Sequence, residues 1–110
     1  MREYRIVLTQ EAVYDVVDIA DYIECSFGEK MADRFQITLK KQLENLKFLG
    51  NVFSCTQIYY RGFAIYKKPF SPSIIFYIIK EAKDEIHILR ILREESDWES
   101  ILSSQQKYTY

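Results

Sequence analysis

Ile74-Ile75-Phe76-Tyr77-Ile78-Ile79 and Ile86-His87-Ile88-Leu89-Arg90-Ile91-Leu92 are the stretches whose reading decides the fold. Both are rich in β-branched and aromatic residues, which suit a pleated surface. Each has the ordinary length of a strand. The connector, Lys80-Glu81-Ala82-Lys83-Asp84-Glu85, is short and polar and contains no glycine. Two strands so joined make an antiparallel hairpin. The first run is apolar on both faces and belongs in mid-sheet. Regular alternation in the second sends His87 to one face and Arg90 to the other. At least one face of this hairpin needs a cover.

The flanking sequence supplies it. Glu3 to Leu8 reads as a strand. Thr9 is a helix N-cap, and Glu11 suits the positive end of the helix dipole. Ala12, Val13, Val16, Val17, Ile19, Ala20 and Ile23 then recur at the spacing of an amphipathic helix, which Gly28 ends. A second helix is expected from about Glu29 to Leu49, with Met31, Phe35, Leu39, Leu43 and Leu46 on its apolar side. The short link Ser26-Phe27-Gly28 makes the two an antiparallel hairpin. Asn51 to Thr56 reads as loop, and Gln57 to Tyr66 as one strand interrupted by Gly62. Lys67 to Pro72 reads as a turn, because two prolines fall in it. Ser96-Asp97-Trp98-Glu99 fits a capping box with Ser96 as N-cap, opening a short helix through Ile101 and Leu102.

The expected architecture is therefore α+β: an N-terminal strand, an antiparallel helical hairpin packed on a mostly antiparallel four-stranded sheet, and a short C-terminal helix. One domain spans residues 1–102, and residues 103–110 form a polar, mobile tail.

Composition narrows the function. The 110 residues are 48% hydrophobic, enough for a core. No apolar run approaches the ~18 residues of a membrane span, and Met1-Arg2-Glu3-Tyr4 leads straight into a strand, unlike a signal peptide. Two isolated cysteines, Cys25 and Cys55, suggest free thiols of a cytoplasmic protein, not a disulfide framework or zinc site. No metal or other cofactor is expected. A net charge of −1 argues against a generic nucleic-acid binder. Yet residues 45–80 carry Lys47, Arg61, Lys67, Lys68 and Lys80 and no carboxylate. Nine tyrosines and seven phenylalanines leave some aromatic rings for the surface, where they mark partner contacts.

The order of elements, together with Thr9, Ala12, Asp15, Ile19, Tyr22-Ile23, Gly28, Ala32, Phe76-Tyr77 and the closing Ile88-Leu89-Arg90-Ile91-Leu92-Arg93 with Asp97, resembles the RelE/ParE superfamily of toxins from type II toxin–antitoxin pairs. The closing segment is most similar to the ParE-type ending, with Arg93 where a histidine is common. The resemblance implies a cytoplasmic toxin neutralised by a cognate antitoxin in a hetero-oligomer, with no membrane role. ParE-like members inhibit DNA gyrase by protein contact; RelE-like members cut mRNA on the ribosome without a metal. The ribonuclease branch usually has an arginine where this chain has Ile74, and here Glu94-Glu95 follow Arg93, where they would repel a phosphate. The ParE side is therefore favoured. The alternatives are a ribonuclease using Arg61, Arg93 and a lysine of the basic stretch, or an inactive homologue that only binds antitoxin.

Candidate antitoxin- or target-binding residues are Arg61, Lys67, Lys68, Tyr77, Arg90, Arg93 and Trp98; Arg61 and Arg93 are the catalytic candidates of the ribonuclease reading. Arg90, inside an apolar run, needs a carboxylate such as Asp97 or one from the first helix. It is expected to face the helices, leaving Arg93 on the open side. His87, the one histidine, lacks any recognisable nucleophile motif around it. Tyr77 and Trp98 also read as packing residues.

Overall fold

The computed structural model describes residues 3–110. Its elements are β1 (Arg5–Leu8), α1 (Gln10–Phe27), α2 (Glu29–Leu49), β2 (Ser54–Tyr60), β3 (Phe63–Phe70), β4 (Ser73–Lys80), β5 (Glu85–Arg93) and α3 (Trp98–Ser104). The strands form one sheet in the order β1-β5-β4-β3-β2. All pairings are antiparallel except that of β1 with β5, which is parallel.

The sheet has one strand more than expected. Gln57–Tyr66 is not a single interrupted strand, because Arg61 and Gly62 both take positive φ (49° and 85°). Positive φ at both central residues turns the chain back in a two-residue hairpin of the kind that matches strand twist. Ser54–Thr56, expected as loop, begins β2, and Lys67–Phe70, expected as turn, continues β3. Pro69 is tolerated there because it lies past the first β2 pairing, Ser54 opposite Lys67, where β3 is an edge.

The hairpin of helices covers one face. Tyr4, Ala12, Leu39, Leu46, Ile75, Tyr77, Ile86, Ile88 and Ile91 are buried there. Gly50 follows α2 where a Cβ would come within 2.4 Å of Ile86 Cδ1, so any larger residue would have to displace the Ile86 side chain. Its carbonyl accepts a 2.5 Å hydrogen bond from the Tyr77 hydroxyl.

The opposite face is covered too. Ile65, Phe76, Ile78, Leu89 and Leu92 pack under Leu102 of α3 and under Tyr108. The segment expected to be a mobile tail thus lies against the sheet. Tyr108 meets Tyr60 edge to face, and the Thr109 carbonyl accepts from Gln10 N, one of the unpaired amides opening α1. The Glu11 carboxylate accepts from the backbone and hydroxyl of Thr109, which lowers its pKa. The N-cap of α3 is Asp97, which accepts from Ser100 N, while Ser96 donates to the Arg93 carbonyl; the capping box centred on Ser96 does not form.

A bulge in β5 decides which way its arginines point. Phe76 pairs with Arg90 and Tyr77 with Ile88, leaving Leu89 without a partner. One extra residue reverses the alternation beyond it. Ile86 and Ile88 face the helices, but so does Ile91, while Leu92 faces α3.

Candidate partner-binding surface

Because of the bulge, Arg90 leaves the sheet on the same side as His87, and Arg93 emerges on the helical side, the reverse of the expected division. Arg90 turns over the strand edge to Asp15 of α1, as a two-pronged pair of 2.7 and 2.9 Å. Asp15 also accepts from Ile91 N at 3.0 Å. Hydrogen bonding to Asp15 raises the Arg90 pKa against its partial burial. The Arg90 side chain is 20% exposed and that of Asp15 10%. Both Asp15 oxygens are used and two guanidinium nitrogens donate to them, so the pair joins α1 to β5 and presents little to a partner. Thr9 completes the junction: its hydroxyl donates to the Leu89 carbonyl and accepts from Ala12 N, the capping role read from the sequence.

His87 is held at both ring nitrogens. Nε2 donates to the Glu85 carboxylate, which can only accept, at 2.9 Å, and Nδ1 lies 2.6 Å from the Tyr110 hydroxyl. The His87 bond, then that of Arg5, holds the Glu85 pKa down at about 2.

Arg61 stands at the tip of the β2–β3 turn, over the Tyr60 ring. That tip lies at the Lys80 end of β4, whereas Arg93 pairs with Ser73 at its other end. The eight residues of β4 separate the two by ~25 Å, at ~3.3 Å per residue. They do not meet in one site. Lys67 and Trp98 come together on the α3 side, where Trp98 also packs on Phe76. Tyr77 is fully buried, stacked on Tyr66, and burial drives its pKa upward.

Lys68 and Arg93 are brought to the same place. Two adjacent rows of side chains cross β3, β4 and β5 on the helical side: Lys68–Ile75–Ile91 and Phe70–Ser73–Arg93. Lys68 is only 6% exposed. Its ammonium lies 4.6 Å from the Phe53 ring centre, no carboxylate among the described residues pairs with it, and desolvation lowers its pKa. Ser73 is 1% exposed, and its hydroxyl has no hydrogen-bond partner. Arg93 is half exposed, lies over the Tyr22 ring and pairs with Glu95 at 2.5 Å. Beside them a cavity of about 310 Å³ opens between α1, α2 and the strand ends, walled by Ile19, Tyr22, Ile23, Phe27, Phe35 and Pro72. Sequence reading missed Ser73 and the cavity, because both arise from elements far apart in the chain.

Among the described residues no cluster could hold a metal ion, and no helix is long and apolar enough to cross a membrane. The family model described as the ParE toxin of the type II toxin–antitoxin system, parDE, matches residues 6–98, and this chain belongs to that family. Among solved structures, one titled "Chromosomal ParDE TA system from P. aeruginosa" shares the fold, with a TM-score of 0.70 and 22% identity over 84% of this chain and 98% of that one. No curated protein matches the sequence.

Proposed function

We propose that this chain is the toxin of a type II toxin–antitoxin module. A cognate antitoxin neutralises it, and it inhibits an essential target such as DNA gyrase by protein contact. Membership of the ParE toxin family supports the module. One observation in the molecule itself carries the reading: the helical hairpin exposes Val13, Tyr14, Val17, Tyr22, Phe27, Met31 and Ile37, each by at least 43%. So much large apolar surface on one small domain marks a partner site. Separation of Arg61 from Arg93 favours contact over joint chemistry on a phosphate.

The test is expression alone and together with the product of the adjacent reading frame. Growth arrest is expected alone, and relief with a recoverable complex on co-expression. Purified chain is expected to block supercoiling by gyrase. Codon-positioned mRNA cuts, abolished by Arg93→Ala, would overturn the contact mechanism in favour of ribosome-dependent cleavage. Recovery of the chain only as a free monomer beside a soluble neighbour product would overturn the antitoxin.

A further inference from the structure

We propose that the strand end carrying Lys68, Ser73 and Arg93 is the receptor for an acidic, amphipathic segment of a protein partner. One apolar side chain of that segment enters the cavity, and two carboxylates meet Lys68 and Arg93. The proposal rests on the antitoxin reading and adds the chemistry of the segment that binds.

Four observations converge. A largely buried cation is normally paired, because desolvation without a counter-charge is costly; among the described residues Lys68 has no such partner. Residues 45–80, which surround it, contain no acid that could serve. Among the described residues, the wholly enclosed polar side-chain atoms without a partner are Ser73 Oγ and Tyr108 OH, so the Lys68 ammonium still reaches the surface. Ser73 adds an unused hydroxyl in the neighbouring row. The cavity beside it, about 310 Å³ with mostly apolar walls, has the size of a small ligand pocket and room for one large side chain. Arg93 is not locked: its pair with Glu95 is exposed on both sides (52% and 59%), and such pairs hold little energy against exchange. Asp18 on the cavity wall disfavours a third acid there.

The rows also set the spacing of the ligand. Lys68 and Arg93 stand two strands and two residues apart, ~12 Å between Cα atoms from strand spacing and rise. Four extended residues span that distance, or about two turns of helix. A bound helix would carry acids seven or eight positions apart with the apolar anchor midway, all on one face.

The experiment titrates the full chain with the antitoxin encoded next to it, by calorimetry. Lys68→Met, which keeps the volume and removes the charge, is expected to weaken binding tenfold or more, as is Arg93→Gln. Both variants should melt no lower than the parent, and Lys40→Met, outside the surface, should bind within twofold of it. Wild-type binding with all three variants within twofold would overturn this site while leaving the antitoxin reading intact. Failure of the wild-type chain to bind the antitoxin would defeat that reading instead. The site is then probed with a twelve-residue peptide bearing two aspartates seven apart around a central leucine. Binding lost in Lys68→Met supports the receptor, and absence of binding overturns it. Displacement of either ligand by a single-stranded oligonucleotide would reassign the cations to phosphate and also overturn the proposal.

Discussion

The two ends of the helical layer handle polar groups in opposite ways. At the junction of α1 with β5, Thr9, Asp15, Arg90 and the Ile91 amide satisfy one another with short hydrogen bonds. At the far end of β3–β5, the Ser73 hydroxyl is buried without a partner, the Lys68 ammonium rests on the Phe53 ring with no carboxylate among the described residues, and Arg93 is held by the Tyr22 ring and an exposed pair. The first region is complete within the chain. The second leaves a cation without a counter-charge and a hydroxyl without a partner, which is the pattern of a surface kept for something outside.

Arg90→Ala should do the most damage. It strands a largely buried carboxylate, and the loss should be about 3 kcal/mol, the low end for a broken buried pair because a fifth of the arginine side chain meets water. The melting temperature should fall by more than about 10 °C. A shift under about 3 °C would show that the junction is not the anchor described. Thr9→Val should follow, at about 1–2 kcal/mol, through loss of the cap and of the bond to the Leu89 carbonyl. Denaturant melts will measure it.

At the other end, Lys68→Met should stabilise the free chain by ~0.5–2 kcal/mol. Desolvation lowers the Lys68 pKa in the folded state, so between that value and the ordinary ~10.4 the unfolded chain binds more protons. Stability of the parent should therefore gain with pH in that alkaline window, and the Met variant should lack this gain. A destabilised variant would make Lys68 part of the core packing and end the contrast. Arg93→Ala should shift stability least, within about 0.5 kcal/mol, yet it should weaken growth arrest or antitoxin binding. A variant as toxic and as tightly bound as the parent would remove Arg93 from the surface.

Much of the frame was legible beforehand. The apolar runs of β4 and β5, the stripe from Ala12 to Ile23, and Thr9 and Gly28 at the helix ends declare themselves by local pattern. The extra strand did not, because Pro69 and the Arg61-Gly62 turn look the same in a loop and in an edge hairpin until the pairing is known. The tail read as mobile because all eight of its residues are polar or tyrosine. Its burial comes from Tyr108 finding Tyr60, a contact 48 residues away.

Periodicity, caps and the absence of acids between Asn45 and Lys80 are local properties, and from them the sequence by itself determined the α+β class, the helical hairpin, the central strands and a basic segment. It also determined that Arg90 needs a carboxylate. Only the tertiary structure decided which one, and which face each arginine takes. The physical reason is the bulge at Leu89: one unpaired residue exchanges the two faces of everything after it, and its presence depends on the register of β4 against β5, which no single strand encodes.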